Sequence, residues 1–357
     1  MEQVSTELSR RAERAIRRGG AESEVRWTAL LLAVLAAAMV VALTVGRYPL
    51  GVRDVWRFLL AAAGLREMPK EAYALLYNVI VQIRLPRVLA AVLVGAALAT
   101  SGGAYQAVFR NPLVSPELMG VLAGGAFGAA VGILISGDWL VVQGTAFAMG
   151  VLAVVVAVWI ANLAGGASLI MLVLGGVISG ALFTALLSAA KFVADPGNKL
   201  PAIEYWLMGN LSLGDITVIG KVVVPMAVGV VALASLGRAL DALAMGDDEA
   251  RALGVPVAAV RYGVVAIATL ISAATVSLAG MVGWVGLMIP HVARLLVGPG
   301  NARLLPTSAC LGAVFLLATD SVSRTLYNVE VPIGILTALL GVPVFLLVVR
   351  RARKGWI

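Results

Sequence analysis

The chain has 357 residues, 61% hydrophobic and 13% charged, with a mean hydropathy of +0.99. That balance excludes a water-soluble enzyme, a disordered chain and a collagen-like one. Eight stretches of 16 to 52 residues carry no Lys, Arg, Asp or Glu, so the 27 basic and 19 acidic residues crowd into the remaining positions, as expected of a polytopic membrane protein.

In chain order, residues 1–26 read as a retained cytosolic tail and not a secretory signal, because six arginines (Arg10, Arg11, Arg14, Arg17, Arg18, Arg26) precede an apolar run without a convincing cleavage site. A membrane-spanning helix needs about 20 mostly apolar residues. On that ruler residues 27–349 form an all-α domain of ten transmembrane helices, at 27–45, 88–108, 118–136, 139–162, 168–190, 216–236, 260–279, 283–297, 304–320 and 332–349. The 52-residue stretch 139–190 holds two spans, and 262–293 breaks near Gly280 and Gly283. Lys221 snorkels and Asp320 lies at an interface. Arg350, Arg351, Arg353 and Lys354 mark 350–357 as a second cytosolic tail, so both termini are placed in the cytosol.

The connections carry more information than the spans. Segment 46–87 falls outside with seven basic residues, against the positive-inside rule, and reads either as a solvated loop or as a docking face for something acidic. Two Pro-containing interruptions, Arg110-Asn111-Pro112 and Ile289-Pro290-His291, hint at related halves. The 39 glycines are mostly positions where helices approach closely. Residues 191–215 hold an Asp195-Pro196-Gly197-Asn198 turn and then Trp206 to Asn210, a short surface or re-entrant helix. Residues 237–260 form the longest polar connection. There Asp247, Asp248 and Glu249 open a short helix that Gly254 and Pro256 close.

The residues supply no chemistry of catalysis. Gly214 with Gly220-Lys221 has neither the spacing nor the Ser or Thr of a phosphate loop. One Cys (Cys310) excludes an intrachain disulfide, and one His (His291) makes no metal site and reads as a packing or capping residue. No catalytic residue, cofactor site or metal site is expected. The net charge of +8 reports orientation, since no basic and aromatic interleaving of a nucleic-acid binder occurs.

Six blocks, in order over residues 80–349, resemble the FecCD-type permeases of ATP-binding-cassette importers for iron-siderophore, haem and vitamin B12, the type II importers. They are Ile83-Arg84-Leu85-Pro86-Arg87, Gly95 through Gln106 to Arg110-Asn111-Pro112-Leu113, Trp206-Leu207-Met208-Gly209, Ala244-Met245-Gly246 to Leu253-Gly254-Val255, Val285-Gly286-Leu287-Met288-Ile289-Pro290-His291 to Arg294, and Asp320 through Arg324 to Glu330-Val331-Pro332-Ile333-Gly334. The resemblance implies a non-enzymatic homodimer in the cell (inner) membrane. One path at its centre is served by two separate ATP-binding-cassette ATPase subunits below and a substrate-binding protein above. The implied cargo is an iron chelate (siderophore or haem) or cobalamin. An ion-coupled secondary transporter is the alternative, for which only Lys221 and Asp320 lie near the hydrocarbon.

The resemblance also implies roles. Arg84, Arg87 and Arg324 match external arginines that meet glutamates of the binding protein, a task suited to a rigid fork of donors. Arg84 and Arg87 can alternatively anchor at the interface, and Arg324 can pair with Asp320 one turn away. Residues 241–256 match the coupling helices seated in the ATPase, with Asp247, Asp248, Glu249 and Arg251 as polar contacts, Leu253 as an apolar plug and Gly254 as the exit. A solvated loop is the alternative there. The path is implied along the fifth and tenth spans, with its gate at Leu113 and at Ser168, Leu169 and Ile170.

Overall fold

Pro86 is the first surprise of the fold, because it does not begin a helix. Helix α1 (Arg26–Thr44) is followed by α2 (Val52–Ala62) and α3 (Lys70–Tyr77), and α3 runs without a break through a π-helical stretch, Asn78–Arg84, into α4 (Leu85–Val108). Proline lacks the N–H and crowds the preceding turn, and the wider π turn accommodates it. The second span predicted to start at 88 is therefore the inner part of a 39-residue helix reaching back to Lys70. The computed structural model describes residues 26–163, 168–211 and 216–352, and of 216–218 and 348–352 the backbone alone. The arginines of the N-terminal tail before Arg26, and Arg353 and Lys354, lie outside the described residues.

A 3-10 turn (Pro116–Met119) leads to α5 (Val121–Ile135), then α6 (Trp139–Leu163), α7 (Leu169–Val193), the short α8 (Lys199–Leu207), α9 (Ile216–Ser235) and α10 (Gly237–Met245). Next come α11 (Asp247–Ala252), α12 (Val257–Ala279), α13 (Val285–Val297), α14 (Asn301–Thr325) and α15 (Ile333–Ala352). All regular structure among the described residues is helical. Six helices, counting α3–α4 as one, are long and apolar enough to cross a membrane, and the bent pair α9–α10 makes a seventh. The other predicted spans coincide with the shorter apolar helices α5, α13 and α15.

α4 is the axis of the molecule: 19 of its 24 residues are buried, and it packs against α14, α12, α13 and α9. Association in lipid depends on close backbone approach, which glycine permits. A Cβ on Gly95 would lie 2.2 Å from the Gly312 carbonyl oxygen, and one on Gly312 2.2 Å from that of Gly95. On Gly102 it would lie 1.8 Å from the Gly286 oxygen. That oxygen is the acceptor that Pro290, four residues on, leaves without its helical N–H. Pro290 thus sits inside α13 and does not interrupt it. The second interruption falls instead at 280–284, where the chain turns back inward before α13, as it does at 111–120 before α5. A second layer, α5, α6 and α7, packs together through Gly124, Gly128 and Gly175, which meet α6, and stacks beside α12 through Gly125 and Gly150.

Gly102→Ala is expected to destabilise by about 3 kcal/mol or more, because the added carbon meets main chain that cannot move aside. Gly263→Ala, with nothing within 4 Å, is expected to be neutral or slightly stabilising. Denaturation of the detergent-solubilised chain distinguishes the two; equal effects would refute the close contact.

Candidate functional site

Three constellations lie at three depths. At the end of the molecule that carries α2 and α8, Arg84, Arg87 and Arg324 are only 4%, 6% and 6% exposed. Arg84 donates to the carbonyls of Leu43 (2.6 Å) and Tyr48. Arg324 donates to those of Val45 (2.8 Å) and Ala42 (3.3 Å). Both thereby cap the C-terminal end of α1, where carbonyls lack partners and a cation is favourable. Arg87 reaches Asp320 (2.6 Å) and Glu330 (2.7 Å). Arg324 Nε stands 3.0 Å from Asp320 Oδ2, the one-turn pairing anticipated, as an ion pair without hydrogen-bond alignment. The forks expected to point outward are spent inside the chain. Exposed basic side chains of segment 46–87 are Arg47, Arg53, Arg57, Arg66 and Lys70.

At the opposite end the acidic start and glycine stop do form a helix, α11. Gly254 (φ +78°) closes it, its N–H bonding Arg251 and that of Val255 bonding Ala250, a paired C-terminal cap. Leu253 is 64% exposed, and Asp248 and Arg251 pair with each other at 2.7 Å in solvent. Asp247 faces inward: Arg261 of α12 holds both its oxygens at 2.8 Å, and Arg110 also donates to it. Arg110, in a left-handed conformation (φ +49°), further bonds the Leu243 carbonyl at 2.7 Å. One carboxylate thus ties α11 to the α4–α5 connection and to α12. The two arginines that hold it lie 14 and 137 residues away, and sequence pattern alone gave no sign of them.

The hydrogen bonds from Arg261 hold the Asp247 carboxyl below the usual carboxylate range; partial burial opposes them, and the charges of Arg261 and Arg110 add to them. A lowered folded value means stability that is present above the unfolded value near 4 and lost as pH falls through the folded one. Asp247→Asn is therefore expected to cost about 3 kcal/mol at neutral pH, by stranding the buried Arg261. The deficit should be constant above about pH 5 and should shrink below about pH 4. Thermal denaturation of both proteins across that range checks this.

The residues expected to form the gate divide. Ile170 is 74% exposed and Leu113 and Ser168 are exposed, while Leu169 is half-buried in the core. His291 Nε2 donates to the Pro112 carbonyl at 3.0 Å and its ring meets Phe345, the capping role anticipated for it. Deeper in lies a carboxylate that span counting missed. Glu117 is exposed and accepts the N–H of Trp284 at 3.2 Å. Among the described residues Trp284 is, with Arg110, one of two non-glycine residues in a left-handed conformation. Its Cβ abuts Gly341, eight residues or about 12 Å into α15. Leu118 abuts Gly176, seven residues or about 10 Å into α7 from the other end. Glu117 therefore stands near mid-membrane, between α7 and α15. In the sequence it falls one residue before the predicted third span.

Comparison with known proteins gives a consistent result. The profile of the FecCD transport family matches residues 13–351. The molybdate import system permease protein MolB of Haemophilus influenzae is 38% identical over 327 residues, covering 91% of this chain and 95% of its own. The cobalamin import system permease protein BtuC of Halobacterium salinarum is 34% identical, covering 91% and 96%. The hemin transport system permease protein HmuU of Yersinia pestis is 34% identical, covering 78% and 85%. A chain from a solved structure of a metal-chelate type ABC transporter in an inward-facing conformation superposes with a TM-score of 0.81 at 35% identity, covering 91% of this chain and 99% of that one.

Proposed function

The chain belongs to the FecCD transport family and is an integral membrane permease of an ABC importer, and from that premise we propose that it moves a metal chelate as a homodimer of ten-span subunits with both termini in the cytosol. Two ATPase subunits drive it from the α10–α11 side, and a binding protein delivers cargo on the α2 and α8 side. An ion-coupled carrier working without an ATPase is set aside on family membership.

The observation that carries the coupling role is the Asp247 clamp. A mobile ATPase moves a permease only through a contact that does not yield, and α11 is tied at one residue to two separate parts of the membrane domain. Leu253 projects beside it as the apolar plug, with Asp248, Glu249 and Arg251 as its polar rim. At the outer face Arg84, Arg87 and Arg324 already have partners, so docking through them proceeds by exchange, a carboxylate of the binding protein displacing the half-exposed Glu330 from Arg87. In a complex reconstituted in lipid, Leu253→Asp and Gly254→Val are expected to lower ATP-driven import at least about tenfold while insertion is kept; burying a charge or straining the left-handed exit does this. Arg87→Gln, which leaves Asp320 its Arg324 partner, weakens capture of the binding protein. Normal import with a full complement of ATPase would reject the coupling role, and unchanged capture the docking role.

Glu117 supports the homodimer. A carboxylate facing lipid near mid-membrane costs about 3 kcal/mol or more, so the α7–α15 face that bears it belongs against water or a second copy. Leu174, Val177, Ile178 and Leu182 of α7 and Leu339 of α15 are exposed on that face's two helices. They supply an apolar wall past which a bulky cargo slides, toward the gate at Leu113, Ser168, Leu169 and Ile170. Where it is ionised, the carboxylate disfavours a small oxyanion such as the molybdate named for one relative and leaves the choice among iron chelate, haem and cobalamin open. Val177→Cys is expected to give an oxidised dimer that blocks import. Import by a particle shown by mass to hold one copy would sink the reading.

A further inference from the structure

Helices α6, α9 and α12 leave between them a groove of about 850 Å³ to which neither α7 nor α15 contributes. Its walls are apolar, with Leu140, Phe147, Val228 and Leu270 among them. Among the described lining residues Lys221 alone is charged, and it is exposed. Along α9 the lining runs from Lys221 to Ala232, and along α12 from Leu278 back to Ile267. Eleven residues of helix on each wall make a channel about 16 Å long, half the roughly 30 Å of hydrocarbon, so the groove is one leaflet deep. Gly144 keeps it open, with nothing within 4 Å of where its side chain would begin.

At the Lys221 end a second chamber of about 350 Å³ adjoins, sharing Trp139, Gln143 and Leu278 with the groove and reaching Tyr205 and Asn210 beneath α8. The polarity therefore changes along one continuous space, from hydrocarbon to hydroxyl, amide and ammonium. Where the two chambers meet, the Gln143 side-chain oxygen is buried with no hydrogen-bond partner. An orphaned acceptor of this kind is costly and calls for a donor.

We propose that the paired chambers bind one anionic phospholipid from the leaflet on the α8 side. An acyl chain fills the groove, the phosphate meets the Lys221 ammonium, and a headgroup hydroxyl donates to Gln143, whose amide turns out of its buried position into the chamber to accept it. A glycerol headgroup matches both demands. A choline headgroup carries no hydroxyl and offsets its phosphate with a fixed positive charge. Trp139 stands where an aromatic ring favours the interface. A lone lysine that merely snorkels explains neither the adjoining chamber nor the buried acceptor. The proposal stands apart from the choice of cargo and from the subunit arrangement.

The test is native mass spectrometry of the purified full chain, delipidated in detergent and titrated with phosphatidylglycerol or phosphatidylcholine. One phosphatidylglycerol per chain is expected, bound about tenfold more tightly than phosphatidylcholine, the scale of one charge-assisted contact. Lys221→Glu abolishes the preference and Lys221→Arg keeps it. Gly144→Leu, which puts a side chain into open groove, weakens both lipids. Should Lys221→Glu fail to fold, Lys221→Gln and Gly144→Leu carry the same reading. Equal binding of the two lipids by the unaltered chain, a preference that survives loss of the Lys221 charge, or a Val228→Cys disulfide joining two copies across the groove would each overturn it.

Discussion

Two helices that meet in hydrocarbon expel no water, so their association rests on how nearly their backbones touch. In this chain that constraint is met along α4, where Gly95 lies on Gly312 and Gly102 on the Gly286 carbonyl. The second contact does double service. Pro290 leaves that carbonyl without its helical donor, and the small Gly102 lets α4 close over it. Pro116 packs on the same glycine, so the returning segments before α5 and before α13 are seated by one crossing. Glu117 and Trp284 meet because of it, and the mid-membrane carboxylate is a by-product of how α4 packs.

The buried charges obey a different rule. Removing one partner of a buried pair strands the other at a cost of several kcal/mol, while the intact pair contributes little net stability. Such pairs specify arrangement more than they stabilise it. At one end Arg87, Asp320, Arg324 and Glu330 fix the ends of α4 and α14 and the start of α15. At the other, Asp247 fixes α11. Between them the membrane domain has a charged clasp at each surface and a glycine-packed middle that holds Glu117. That is the construction expected of a body that must tilt as a unit when pushed from one side.

The helices could be read from the sequence because charge and apolarity are segregated residue by residue. Each predicted span coincides with a helix, and the short α11 with its glycine stop follows from local chemistry alone. What escaped detection depends on partners distant in sequence. Nothing local indicates that Pro86 lies inside a helix, since the π stretch before it, in which Ile80 and Arg84 are buried, has no signature in the sequence. Arg84 and Arg324 carry the marks of exposed donors until the carbonyls of α1 are placed beside them. Glu117 stood at the edge of a predicted span, and its depth became visible only through Gly176 and Gly341. Family resemblance pointed to the segments proposed for docking and coupling without specifying which way their side chains turn.

The capping of α1 carries a consequence for how the protein is made. The carbonyls of Ala42 and Val45 leave the ribosome about 280 residues before Arg324 does. At roughly 5 to 20 residues per second, that separation lasts from about a quarter of a minute to nearly a minute. Throughout that interval α1 is an apolar, lightly packed span in the bilayer, able to reside there alone because residues 27–44 hold no charge. Arg84 caps it early, but its second cap comes only when α14 arrives, so the earliest of the described helices is among the last to be fully locked. Until then the nascent chain presents the translocation machinery with an anchor that is inserted but unassembled, the kind of substrate on which membrane quality control acts.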